Sequence, residues 1–213
     1  MNLTNIHKSL LLFFALCSFA SFVFLFQFNT TNGVLAEFTN STERITSKFG
    51  LHYIEFRQGS EIQLMSYDIP CKEQMLGKNA CSSRETLEDQ TTAATYVTLV
   101  FCISLFSVFF FVLEKNELSL TLKIIGIVII LIYVADVALH GVMFSENDSF
   151  YSALKEGFAD QGDIGSWNQG QSMVYIGGSL ICHLAIPGAI LIGFFGNLIY
   201  SYCKKNNGYI GVA

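Results

Sequence analysis

The stretch "CKEQMLGKNAC" (residues 71–81) places two cysteines, with nine residues between them, in the most polar part of an otherwise apolar chain. Of the 213 residues, 52% are hydrophobic and only 14% are charged. Soluble domains contain about 25% charged residues. The composition therefore predicts a membrane protein, and the role of the two cysteines depends on which side of the membrane they occupy.

Four apolar runs surround this stretch, at residues 9–28, 93–113, 124–144 and 173–199, and Asp136 is the only charged residue in any of them. About 20 apolar residues suffice to cross a hydrocarbon core about 30 Å thick. The sequence predicts a mainly α membrane protein, a four-transmembrane-helix bundle forming a single domain. The first run also resembles a signal peptide, but signal h-regions have about 7–15 residues, so its length favours a retained helix.

The distribution of charge predicts the orientation. Acidic residues predominate in the segments 29–92 and 145–172, whereas the link 114–123 and the two tails carry Lys8, Lys115, Lys123, Lys204 and Lys205. Because basic residues accumulate on the cytoplasmic side, both termini, the link and the tail 200–213 are expected in the cytoplasm, and the two acidic segments outside. We expect a multi-pass protein of the plasma membrane that binds no nucleic acid.

Three glycosylation sequons fall in the segments predicted to be external, at Asn29, Asn40 and Asn147. Asn29 and Asn147 lie next to the predicted membrane boundary, where a glycosyltransferase has little access. Asn40 is therefore the best predicted acceptor of the three.

The external position of Cys71 and Cys81 predicts a disulfide, because this compartment is oxidising. A zinc site requires four ligands, and a redox motif has the spacing C-x-x-C; neither is present in this segment. The cysteines inside the apolar runs are expected to act as small hydrophobes. Cys203 follows the fourth run beside two lysines, a common position for reversible palmitoylation.

The residues before the cysteine pair predict a small external sheet. The runs "FGLHYIEF" and "EIQLMSYDI" flank the polar turn "RQGS", which indicates a hairpin over residues 49–70, and "VLAEF" upstream is a third candidate strand. Such a sheet is marginally stable by itself. A disulfide that closes a loop of this size contributes about 3 kcal/mol, so we expect a disulfide-braced extracellular β-sheet.

Four spans, cytoplasmic termini, a long first external loop with C-x(9)-C and a shorter second loop without cysteine resemble the claudin superfamily, which includes the peripheral myelin proteins, the stargazin-like channel subunits and the clarins. The resemblance covers the layout of the whole chain. It implies that the cysteine pair joins two strands of an external sheet above a left-handed bundle. Tetraspanins, by contrast, carry cysteines in the loop before the last helix.

Three polar residues are predicted to lie inside the membrane: Asp136 and His140, four apart on one helix face, and His183 on the last helix. Intramembrane acids are costly and usually face the bundle interior. Two interpretations are open. The residues form a proton or ion pathway, or they form hydrogen bonds that hold the helices together.

The chain carries no catalytic motif, so we expect a non-enzymatic protein without cofactor or metal. The first functional hypothesis is membrane organisation or cell-surface and cell–cell interaction through the external loops, with partners in the same or the opposite membrane. The alternative is an auxiliary channel or transporter subunit, or a small transport protein that uses Asp136, His140 and His183. The expected contact surface is the hairpin together with four aromatic side chains, which alternatively pack on the sheet or lie at the lipid headgroups: Phe150, Tyr151, Phe158 and Trp167.

Overall fold

The computed structural model of the chain describes residues 5–40, 43–73, 75–115, 120–159 and 165–186. The elements follow one another as α1 (Asn5–Thr30), β1 (Val34–Asn40), β2 (Ile45–Gly50), β3 (Tyr53–Gln58), β4 (Glu61–Ser66), α2 (Asp68–Lys72), α3 (Lys78–Lys115), α4 (Leu120–Ala159), β5 (Ser166–Gln169) and α5 (Ser172–Ile186).

Three helices are long and apolar enough to cross a membrane, namely α1, α3 and α4. They contain the first three predicted spans. The fourth predicted span, 173–199, begins as the shorter apolar helix α5, and its remainder lies outside the described residues. The fold is therefore mainly helical with three helices of spanning length in the part of the chain that is described.

The helices of spanning length pack side by side, with α3 in contact with both α1 and α4. Each nevertheless keeps a wide exposed apolar surface. On α1 this surface is a stripe with helical spacing, formed by Phe13, Leu16, Phe19, Val23 and Phe26. An exposed stripe of this kind is unfavourable in water and suits a hydrocarbon solvent.

The helices α3 and α4 continue well past their apolar segments. The predicted external segments 29–92 and 145–172 were expected to be a sheet-bearing loop and a short loop. Instead, α3 already begins at Lys78, and α4 continues to Ala159 before the chain returns through β5. The inner face of the sheet packs against these extensions.

The sheet has five antiparallel strands in the order β4-β3-β2-β1-β5. The predicted hairpin is present as β3 and β4, joined at Gly59 and Ser60, and Gly59 has the positive φ of 61° that a tight two-residue turn requires. The candidate strand "VLAEF" is β1. Two or three strands were expected. The sheet has more, because β2 is a separate strand and β5 is contributed by the second predicted external segment.

The strand register separates an apolar inner face from a polar outer face. Residues opposite one another in antiparallel strands share a face. The inner face includes Phe38, Phe49 and Ile54, all buried against the helices. The outer face carries the cross-strand row Glu37, Lys48 and Glu55, whose opposite charges alternate.

The disulfide between Cys71 and Cys81 is present, with a Cα–Cα distance of 5.8 Å. Gly77 lies between the two cysteines with a φ of 79°, as expected for a turn. The bond joins α2 to the first turn of α3, and not two strands of the sheet as the claudin resemblance implied. It therefore fixes the path by which the chain leaves β4 and enters the membrane-spanning helix.

Candidate functional site

Six polar side chains of the described helices meet in one buried cluster. Every helix that contributes to the bundle supplies at least one member, and all members are inaccessible to solvent: Ser21 from α1, Thr98 from α3, Asp136 and His140 from α4, and Ser179 and His183 from α5. We call these six residues the intramembrane cluster. Their positions follow from helical spacing, because Asp136 and His140, like Ser179 and His183, are four residues apart and share a face.

Asp136 is the centre of the cluster. Its Oδ2 lies 2.5 Å from Nε2 of His183, and its Oδ1 accepts a hydrogen bond of 2.8 Å from the Thr98 hydroxyl. Nδ1 of His140 lies 2.7 Å from the backbone carbonyl oxygen of Asp136 and 3.5 Å from its Oδ1. One carboxylate thus links α4 to both α3 and α5.

His140 extends the cluster towards α1. Its Nε2 lies 2.5 Å from the Ser179 hydroxyl oxygen, which in turn lies 2.5 Å from the Ser21 hydroxyl oxygen. The rings of His140 and His183 are 4.7 Å apart. The Tyr133 hydroxyl donates to the backbone carbonyl of His183 at 3.0 Å.

The structure brings together the three polar residues predicted from the sequence. Their contacts meet the expectation that an intramembrane acid faces the bundle interior, since a buried charge without a partner is strongly unfavourable. His140 is fully enclosed among the helices. Sequence reasoning missed Ser21, Thr98 and Ser179, because single hydroxyl residues in apolar helices are common and carry no distinctive spacing.

A second polar cluster attaches the sheet to α3. Arg84 forms an ion pair with Glu88 at 2.7 Å, donates to the Leu51 carbonyl at 3.0 Å and stacks over the Tyr67 ring at 4.7 Å. His52 Nδ1 lies 3.0 Å from Glu88. Burial raises the pKa of Tyr67, whose hydroxyl donates to the Gly50 carbonyl at 2.7 Å.

One side chain, that of Asn32, connects the end of α1 to the turn between β2 and β3. Asn32 has a positive φ of 54°, and its Oδ1 accepts the backbone N–H groups of His52 and Tyr53. Its Nδ2 donates to the Tyr53 carbonyl at 3.1 Å. Asparagine tolerates this left-handed conformation better than most residues, and it ends α1 here.

The aromatic residues predicted as a contact surface are not exposed as a group. Phe150 is fully buried, and Tyr151, Phe158 and Trp167 pack against the same apolar core. The Trp167 ring lies 4.9 Å from Phe38 and 5.2 Å from Phe158. Phe150 was predicted either to contact a partner or to pack on the sheet, and α4 extends beneath the sheet and places this side chain in its core. For all four residues, the alternative of packing is the one the contacts support.

Exposed apolar residues do occur on the hairpin. All six residues of β4 are exposed, and this strand forms one edge of the sheet. Ile62 and Leu64 are opposite Arg57 and Glu55 on the outer face and are 53% and 63% exposed. They are the apolar end of a face that is otherwise polar.

The three sequons occupy different environments. Asn40 is at the end of β1 and is partly exposed, whereas Asn29 lies in the last turn of α1, where its carbonyl lies 2.6 Å from Nε2 of His52. Asn147 is fully buried within α4, which contradicts its prediction as a glycosylation acceptor in an external loop. The predicted palmitoylation site, Cys203, lies outside the described residues.

No protein-family model matches this chain, and no curated protein sequence matches it.

Proposed function

We propose that this chain is a non-enzymatic four-span membrane protein, a distant relative of the claudin superfamily, that acts in membrane organisation or cell-surface interaction through its external sheet. In this proposal the protein lies in the plasma membrane, with both termini in the cytoplasm. The partner is the external part of another membrane protein, in the same or the opposite membrane.

The observation that carries the proposal is the edge strand β4. An exposed edge strand presents unpaired backbone groups to which another chain can add a strand. Ile62 and Leu64 supply apolar contact area beside that edge. In protein interfaces, apolar side chains form the core of the contact and polar residues form its rim.

The sheet is also held rigidly enough to serve as a binding surface. Its inner face is packed against the ends of the helices, and the Arg84, Glu88 and Tyr67 contacts fix it to α3. The Cys71–Cys81 bond restrains the connection after β4. A surface that is already ordered loses less conformational entropy on binding than a flexible loop.

The test is co-purification from cells in mild detergent, comparing the wild type with the double variant Ile62→Thr and Leu64→Thr. Threonine retains strand propensity, and both positions are exposed, so the variant is expected to fold and reach the surface. We expect recovery of the bound membrane protein to fall at least about tenfold, because loss of a central apolar contact costs more than 1.4 kcal/mol.

Lys48→Gln on the same outer face is the matched control, since Lys48 lies two strands away from the edge. Undiminished capture by a double variant delivered normally to the surface contradicts the proposal. If the captured protein is a second copy of this chain, the function is self-association.

The intramembrane cluster supports a second candidate function, an auxiliary transport role or a small transport protein. Asp136, His140 and His183 are in mutual contact and are all titratable groups, as a proton relay requires. Reconstituted protein that carries a proton current abolished by Asp136→Asn supports this function. Vesicles that remain proton-tight with the wild type contradict it.

A further inference from the structure

Three side chains of the intramembrane cluster offer metal-ligating atoms to one another at close range. One carboxylate oxygen of Asp136 and one nitrogen each of His140 and His183 all lie within 4.8 Å. All three residues are fully buried. Two imidazoles and one carboxylate are ligands that zinc and other borderline divalent ions prefer.

The buried carboxylate of Asp136 requires a positively charged partner. Asp136 is the only acid in the four apolar runs, and none of the runs contains a lysine or an arginine. A carboxylate in such surroundings is stable only when it is paired. The groups that face it are Thr98 from α3, His140 from its own helix and His183 from α5.

The surrounding hydrogen bonds suit a metal site. Thr98 binds Oδ1 of Asp136, which leaves Oδ2 as the ligand. Each nitrogen of His140 has a partner, the Asp136 carbonyl on one side and Ser179 on the other. Whichever nitrogen binds an ion, the other remains oriented by a hydrogen bond, as is usual for metal-binding histidines.

His183 has one side-chain hydrogen bond to change when an ion binds. Its Nδ1 has no hydrogen-bond partner among the described residues, so the contact of Nε2 with Asp136 is the only one there, while the ring packs against Phe101, Tyr133 and His140. Ligands in a tetrahedral site with bonds of about 2.1 Å are about 3.4 Å apart. The 2.5 Å contact between His183 and Asp136 must therefore open by about 1 Å, and no second hydrogen bond of this ring is broken.

We propose that Asp136, His140 and His183 bind a divalent transition-metal ion, with Zn²⁺ as the first candidate and a water as its fourth ligand, as in zinc sites with three protein ligands. The ion joins α4 to α5, and the hydroxyl groups of Thr98, Ser179 and Ser21 connect it to α3 and α1. This site is independent of the external edge strand, so either proposal can fail without the other.

The experiment measures metal bound to the full-length protein purified in detergent with a tag that contains no histidine. After treatment with a chelator, the protein is loaded with Zn²⁺, dialysed and measured by plasma mass spectrometry. We expect about one ion per chain, and a rise in the unfolding temperature on loading, because an ion that binds only the folded state stabilises it. Co²⁺ loading is expected to give the visible absorption of a protein-bound ion.

Variants identify the ligands. His183→Gln and His140→Gln are expected to weaken Zn²⁺ binding by more than the 10–100-fold typical of changes around a metal site, and Ser179→Ala by about that range. His52→Gln is the matched control, a histidine of the external part, and is expected to bind normally. A size-exclusion profile identifies any variant that does not fold.

Measurements on the wild type test whether the protein binds an ion at all. Wild-type protein that retains less than about a tenth of an ion per chain after loading overturns the proposal. Stabilisation by acid but not by Zn²⁺ also overturns it, because the compensating cation is then a proton on an imidazole. Full binding by folded His140→Gln and His183→Gln variants places the ion elsewhere and overturns it too.

Discussion

The sheet-bearing layer and the helix bundle of this protein differ in how much polar contacts contribute to holding them together. Outside, the inner face of the sheet is apolar and the outer face is polar, and an apolar core joins Phe38, Phe49 and Phe158 to the ends of the helices. Inside the bundle, the six polar residues of the intramembrane cluster also link the helices, beside a small apolar cluster of Ala15, Phe101, Leu105 and Ile186, and many apolar side chains face outwards.

The difference follows from the solvent. Burial of apolar surface is favourable where water is the alternative, so the external layer is stabilised as a soluble domain is. In hydrocarbon, a leucine gains little by leaving lipid for protein, and helix association depends on close packing and hydrogen bonds. The same residue type is therefore expected to have a large effect in one layer and a small effect in the other.

The largest expected effect tests this contrast with one residue type. Phe49→Ala is expected to lower the free energy of unfolding by about 4 kcal/mol, because Phe49 is fully enclosed between the sheet and the helices. The measurement is thermal or denaturant unfolding in detergent. Phe110→Ala is the matched control on α3, where the side chain is 63% exposed. We expect a change of less than about 0.5 kcal/mol there, and equal losses at the two positions contradict the contrast.

The next effect concerns the intramembrane cluster. Asp136→Ala is expected to lower stability by about 3 kcal/mol, because it leaves His183 and Thr98 without their buried partner. Asp136→Asn keeps an acceptor for Thr98 and is expected to lose about 1 kcal/mol. The two variants are compared by unfolding temperature in the same detergent. An alanine variant as stable as the asparagine variant shows that the carboxylate contributes no interhelical bonds.

Removal of the disulfide is expected to have a somewhat smaller effect. The double variant Cys71→Ser and Cys81→Ser loses a cross-link over a short loop, which costs about 2–3 kcal/mol. Increased protease cleavage between α2 and α3 is the specific readout, and peptide mapping without reductant first establishes that the wild-type fragments are linked. The double variant Cys17→Ser and Cys182→Ser is the control, with no cross-link to lose among the described residues.

The smallest effect is expected at the sequons. Asn40→Gln removes one glycan and shifts the electrophoretic mobility of protein from cells, with little change in stability. Asn147→Gln is expected to leave the mobility unchanged, because Asn147 is buried in α4. A glycan found at Asn147 requires that this part of α4 be exposed during synthesis and contradicts its buried position.

Local sequence patterns predicted most of the elements. The apolar runs identified the three helices of spanning length, and the turn at Gly59 identified the β3–β4 hairpin. The cysteine pair was correctly assigned as a disulfide. These features depend on residues that are close in sequence, where hydrophobic periodicity and turn preferences act directly.

Contacts between distant residues were not predictable from these patterns. Nothing local distinguishes "SWNQ" as the fifth strand, and its pairing with β1 requires α4 to carry the chain beneath the sheet first. The same pairing packs Trp167 against the apolar core, which is one of the alternatives that the sequence left open.

The sequence by itself determined that this protein is apolar in long helical segments, that an acid and two histidines lie within them, and that a hairpin and a disulfide-bonded cysteine pair lie between the first two. Only the tertiary structure decided that Asp136, His140 and His183 meet and that Thr98, Ser179 and Ser21 surround them. The physical reason is that helical spacing fixes the face on which a side chain lies, whereas the rotation of each helix against its neighbours is set by the packing of the whole bundle.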